Sequence, residues 1–182
     1  MSQSGIYNPT GGGGGGGGSL VLIGTANVPA GTVFVPFALS NLYTTFMLTF
    51  SNVLSSSAQP LIMQFSTNGG LSYITTQYQS GINKNAYNSN AWTNTNRSDS
   101  VILTPTANAG TLTANGTIWL YNMNTTTAPY ALGQSVASVG GTCTFSFVQG
   151  NNATVTPVTA MKILIVGGGT LSGKFSLYGL LQ

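Results

Sequence analysis

Histidine and glutamate are absent from this chain, and Asp99 is its single acid. General acid–base work on glycosides needs two carboxylates flanking one bond, which one acid cannot supply. Without histidine, neither a Ser-His-Asp triad nor a Cys-His pair can be assembled. Metal sites built from His, Cys or several carboxylates are excluded on the same ground. The chain is therefore expected not to be an enzyme, with no catalytic, metal or cofactor-binding residue. The glycine runs Gly11–Gly18 and Gly167–Gly169 do not alter this. Neither is followed by the Lys-Ser/Thr and helix that a phosphate-binding loop requires.

Charge of either sign is scarce. Lys84, Arg97, Asp99, Lys162 and Lys174 are the only formally charged side chains in 182 residues, where an ordinary domain devotes about a quarter of its residues to charge. Four scattered cations cannot supply the roughly 6–10 phosphate contacts of a nucleic-acid interface, so nucleic acid is discarded as a partner. The polar surface must be made of Thr, Ser, Asn and Gln. Neutral hydroxyls and amides cost less to desolvate than ions, so such a surface can be covered by other subunits. Little net charge also opposes self-association only weakly. A homo-oligomer is expected.

Cysteine occurs once, at Cys143, which rules out a disulfide within the chain. In TCTFSFV it alternates with Phe145 and Phe147, and it is read as a small buried core residue. No apolar run reaches the ~18–20 residues of a bilayer span, so no membrane association is expected. The opening MSQSGIYNPT lacks the basic and apolar regions of a secretory signal.

What the chain does have is alternation with a period of two. Phe46, Leu48 and Phe50 alternate with Met47, Thr49 and Ser51, and Leu61, Met63 and Phe65 with Ile62, Gln64 and Ser66. Such patterning, rich in Phe, Thr, Ile and Tyr, predicts half-buried strands. Asn68-Gly69-Gly70 predicts a tight turn into a further strand, Leu71 to Tyr78, which would complete a three-stranded meander. Strands are also expected at Ser19–Thr25, at Thr32–Leu39 (Pro36 assigning this one to an edge), at Ser100–Pro105 and at Gly116–Met123. Large apolar groups on both faces of Gly116–Met123 suggest cover on both sides. Thr142–Gln149 and Thr156–Val166 read as an antiparallel pair, and Gly173–Leu181 as the strand that closes the sheet. Gln79–Ser98 and Asn124–Gly141 read as loops. The sum is an all-β, antiparallel β-sandwich, jelly-roll-like, of about ten strands, occupying residues 19–182 as a single domain.

Residues 1–18 form a separate, extended N-terminal arm. Ordering eight consecutive glycines would cost roughly ten kcal/mol, more than a small domain can spare. As a coil the run spans about 15 Å, and fully extended about 27 Å. The arm is read as an anchor on a leash, with Ile6, Tyr7, Asn8 and Pro9 as the anchoring residues. A second candidate site is the Asn-rich stretch Gln79–Ser98. Tyr87 and Trp92 stand there among amides, the pairing of stacking rings and hydrogen-bonding groups that suits a glycan, with Tyr78 as a further ring. Loop anchoring or subunit contact is the competing reading of these aromatics.

The C-terminal stretch MKILIVGGGTLSGKFSLYGLLQ, Met161 to Gln182, resembles the closing strands of small β-sandwich proteins on tailed-bacteriophage virions. The matching positions are Ser172, Gly173, Phe175, Leu177, Tyr178 and Gly179. LIMQFSTNGGLSY, Leu61 to Tyr73, is similar to an upstream element of the same proteins. The arm and glycine leash resemble the attachment peptides of virion fibres and capsid-decorating proteins. The resemblance implies a non-enzymatic virion subunit, a tail fibre or capsid decoration, held to other virion proteins through residues 1–18. It further implies a trimer on the virion surface, made in the host cytoplasm and released by lysis, with a host surface glycan as a further partner.

Overall fold

A computed structural model describes residues 18–87, 89, 91–105, 112–139 and 142–181. The anchor residues Ile6, Tyr7, Asn8 and Pro9 lie outside the described residues. The described chain is almost entirely β. Twelve strands run in the order β1 (Leu20–Thr32), β2 (Phe34–Ala38), β3 (Phe46–Ser55), β4 (Leu61–Ser66), β5 (Tyr78–Ala86), β6 (Thr93–Arg97), β7 (Val101–Ile102), β8 (Leu112–Tyr121), β9 (Tyr130–Val139), β10 (Thr142–Asn152), β11 (Ala160–Ile165) and β12 (Leu171–Leu180). They form an eight-stranded sheet, β1-β12-β3-β8-β9-β10-β5-β6, and a four-stranded sheet, β2-β11-β4-β7. Every pairing is antiparallel.

Removing β5–β6 and β9–β10 exposes a simpler plan. The remaining eight strands divide between the sheets in the orders β1-β12-β3-β8 and β2-β11-β4-β7, the chain changing sheet at every step except from β4 to β7. This is the double Greek key of a jelly roll. The β5–β6 and β9–β10 hairpins are insertions that widen the larger sheet by four strands.

The alternation read from the sequence sets the core. Phe46, Leu48 and Phe50 of β3, Ile118 and Leu120 of β8, and Phe175 and Leu177 of β12 point inward from the larger sheet. Val35 and Phe37 of β2, Leu61, Met63 and Phe65 of β4, and Met161, Ile163 and Ile165 of β11 meet them from the smaller one. Full burial of each such side chain is worth about 1.5–3 kcal/mol. Pro36 lies on an edge strand with its side outward, as expected of a residue without an amide donor.

Several expectations need correction. The three-stranded meander does not form, because β3 and β4 belong to opposite sheets. The expected strand Leu71 to Tyr78 does not form: residues 71–77 are irregular and Tyr78 opens β5. The turn at Gly69 and Gly70, both at positive φ, is locked by side chains: Asn68 Oδ1 accepts from Ser72 N, and Ser66 Oγ accepts from Gly70 N. These bonds give the backbone local partners in place of a ladder. Leu71 is consequently left out in solvent. Gln79–Ser98 is no long loop but the β5–β6 hairpin, and Asn124–Gly141 contains β9. Thr142–Gln149 does not pair with Thr156–Val166: β10 pairs with β9 and β5, whereas β11 pairs with β2 and β4. Finally, β12 does not close an edge but lies between β1 and β3.

Two glycines of the C-terminal motif have physical reasons. Gly173 adopts φ 134° at the irregularity where β12 shifts register against β3. A Cβ on Gly179 would come within 2.5 Å of the Tyr43 ring, so the ring packs directly on the backbone.

Candidate binding face of the larger sheet

Register aligns one row of outward side chains across the larger sheet. Leu22 of β1 lies opposite Tyr178 of β12, which lies opposite Met47 of β3. Met47 is opposite Trp119 of β8, and Trp119 is opposite Leu132 of β9. Five strands thus contribute five large apolar side chains in line, and Leu22 and Leu132 are each 55% exposed. The strand Gly116–Met123 was expected to be covered on both faces. In the single chain only the inner face is covered, and Tyr121 is exposed on the other.

The hairpin strands add to this face by an inversion. On β10, Thr144, Ser146 and Val148 turn inward, while Cys143, Phe145 and Phe147 turn outward. On β9, Ala131, Ser135 and Ala137 are buried, while Tyr130, Leu132 and Val136 are exposed. Cys143 is therefore an exposed free thiol and not a core residue, because its strand presents its larger side chains to the outside. Buried Ser135 and Ser146 lie directly opposite each other, and their hydroxyls have no hydrogen-bond partner among the described residues.

The aromatic residues are organised. Trp92 stacks on Phe147 with centroids 5.7 Å apart, and Phe147 meets Phe145 edge-on at 4.9 Å. Trp119 and Tyr121 stack at 6.4 Å. Offset and edge-to-face contacts of this kind add about 0.5–1.5 kcal/mol beyond area burial. Half-exposed Trp92 is thus pinned to the sheet by its own neighbours. Tyr87 is almost fully exposed just after β5, joined to β10 by its amide, which donates to the Cys143 carbonyl. Tyr78 cannot act as a ligand-stacking ring. It is buried, its hydroxyl accepts from Phe65 N at 2.7 Å, and burial pushes its phenol well above the ordinary value.

Charge plays almost no part on this face. Arg97, ending β6, grips Asp99 with Nε on Oδ1 at 2.7 Å and Nη2 on Oδ2. Ser100 Oγ also donates to Asp99 Oδ1. The Arg97 bonds, aided by Ser100, hold the Asp99 carboxyl below the usual carboxylate range. Among the described outward side chains of the larger sheet, Lys174 in the first half of β12 is the exposed cation. Among the described residues no three His, Cys, Asp or Glu side chains cluster, and no helix is long and apolar enough to cross a membrane.

Sequence reasoning found Trp92 and Tyr87 but missed Trp119, Leu132 and Phe147 as surface residues. The available signal was the small-residue run at Ala131, Gly133, Ser135 and Ala137. It marks the inner face of β9 and so assigns the larger residues to the outside. No known protein family matches this chain, and no curated protein is similar to it in sequence.

Proposed function

We propose that this protein is a non-catalytic building block of a multi-subunit assembly, joined to further copies of itself through the outer face of the larger sheet. The observation that carries the reading is the uncharged row Leu22–Tyr178–Met47–Trp119–Leu132, extended by Phe145 and Phe147. Contiguous exposed apolar surface of this kind marks an interaction site in soluble proteins. A row of neutral side chains can meet its own copy with no like-charge penalty.

The resemblance of Met161–Gln182 and Leu61–Tyr73 to virion proteins supports reading the assembly as a tailed-bacteriophage particle. In that setting residues 1–18 are the attachment arm, with Ile6, Tyr7, Asn8 and Pro9 seated in another virion protein. The resemblance alone favours three copies. A jelly roll serves both viral capsid and lectin domains, which is compatible with this role by analogy of fold only.

The test uses the full chain and a chain beginning at Ser19, each sized by light scattering and then incubated with virions assembled without the protein. The reading predicts that both are oligomers of the same mass and that only the full chain attaches. Attachment of both to the same extent would remove the arm from the account. Monomers throughout would remove the assembly.

A further inference from the structure

Where the inserted hairpins meet the end of β8, the outer face holds an open groove of ≈ 680 Å³. Its walls come from two chemistries. Tyr121, Tyr130 and Leu132 line one side, and Gln79, Gln149, Asn151 and Asn96 line the other. Tyr121 and Tyr130 are direct cross-strand partners, and Tyr130 is in turn opposite Asn151. Asn151 is opposite Gln79, so ring and amide stand side by side along one rung of the sheet.

The floor is shaped by Gly81. A Cβ there would meet Asn96 Oδ1 at 2.9 Å and Gln149 Nε2 at 3.7 Å. The missing side chain is what leaves these two amides bordering open space. Among the described residues the four side-chain amides have no hydrogen-bond partner, and Asn151 Oδ1 is even closed off from solvent without one. An amide offers two donors and two acceptor sites, and turning the group exchanges them. Unused pairing capacity is thus concentrated beside two half-exposed phenol rings. The one charged group of the lining, Arg97, has its fork held by Asp99 and contributes no net charge.

We propose that this groove is a binding site for a neutral saccharide. A pyranose has an apolar C–H face to lie on a tyrosine ring and a rim of hydroxyls that donate and accept, which matches amides better than ions. The tyrosines supply the platform, Gln149 and Asn96 read hydroxyls at the floor, and Gln79 and Asn151 read them at the wall. Tyr87 and Trp92 take no part: neither lines the groove, and Trp92 is stacked on Phe147.

The experiment titrates the intact chain with neutral gluco-, galacto- and manno-configured oligosaccharides and with sialylated counterparts. Binding is read by isothermal titration calorimetry and by tyrosine fluorescence. The proposal expects at least one neutral oligosaccharide to bind, and its sialylated form to bind no better. Tyr130→Ala and Gln149→Ala should each weaken binding at least tenfold, Tyr130→Phe less than threefold, and Tyr87→Ala less than twofold. Gly81→Val fills the floor and pushes the Asn96 amide aside, and should abolish binding with the circular dichroism spectrum unchanged. Absence of binding across the panel would overturn the proposal. So would binding that survives Gly81→Val and Tyr130→Ala, or a clear preference for acidic sugars.

Discussion

Within the larger sheet, the four jelly-roll strands and the inserted β9–β10 hairpin obey opposite polarity rules. On β3, β8 and β12 the large apolar side chains (Phe46, Leu48, Phe50, Ile118, Leu120, Phe175, Leu177) turn inward. On β9 and β10 the inward positions hold Ala131, Ser135, Ala137, Thr144, Ser146 and a single larger residue, Val148, while Leu132, Val136, Phe145 and Phe147 turn outward. The smaller sheet explains the first pattern, since its inward side chains join those of the jelly roll in one core. The second pattern has no such partner inside the chain. Apolar residues placed outward on a regular strand are instead what a partner outside the chain would bury. The difference separates residues that hold the fold from residues free to serve contact.

Core truncation gives the largest expected effect. Phe175→Ala and Phe46→Ala, both fully buried, should each lower the unfolding free energy by about 3–5 kcal/mol in a denaturant titration. Next comes Tyr78→Phe, which leaves the buried Phe65 amide without its acceptor and should cost about 1–3 kcal/mol. The pH dependence at this position has a definite sign. Its phenol is raised above 10.0 by burial, so its contribution is complete below that pH and is lost as the solution becomes more alkaline. Tyr78→Phe should therefore flatten the alkaline limb of the stability profile.

Outward substitutions should behave differently. Phe147→Ser and Val136→Ser are expected to change the unfolding free energy of one subunit by about 1 kcal/mol or less, yet to lower the mass in light scattering. A loss of several kcal/mol at Phe147 would break the comparison by showing that the hairpins depend on their outer aromatics for folding. The smallest effect belongs to Asp99→Asn. Its partly exposed ion pair should contribute less than about 1 kcal/mol. Because its carboxyl is held below the ordinary 3.8, that contribution is present at neutral pH and disappears as acid takes the pH down through the lowered value.

The jelly-roll half was legible because its alternation is strong: Phe46-Leu48-Phe50 and Leu61-Met63-Phe65 each announce a strand and its buried side. Which sheet each strand joins was not, because β3 and β4 carry the same pattern whether they pair or face one another. The hairpins were hidden by their polarity. Tyr78, Ser80 and Ile82 alternate with Gln79, Gly81 and Asn83, but the period is carried by small and amide side chains that also suit loops. Leu71 to Tyr78 failed in the opposite sense, since Asn68 and Ser66 bind the backbone locally and override a strand-like pattern. Of the candidate site, Trp92 was visible as a lone aromatic among amides. Tyr121 and Tyr130 were not, because only register brings them together. Cys143 was assigned to the core by counting Phe145 and Phe147 as buried, which the inverted strand reverses.

The most direct test of the central claim is the solution mass of the intact chain against the double variant Trp119→Ser, Phe147→Ser, each measured by light scattering across a concentration series with its melting curve. The account predicts an oligomer for the intact chain and a monomer with a nearly unchanged melting curve for the variant. A monomeric intact chain at every concentration, or a variant that keeps the oligomer, would contradict it.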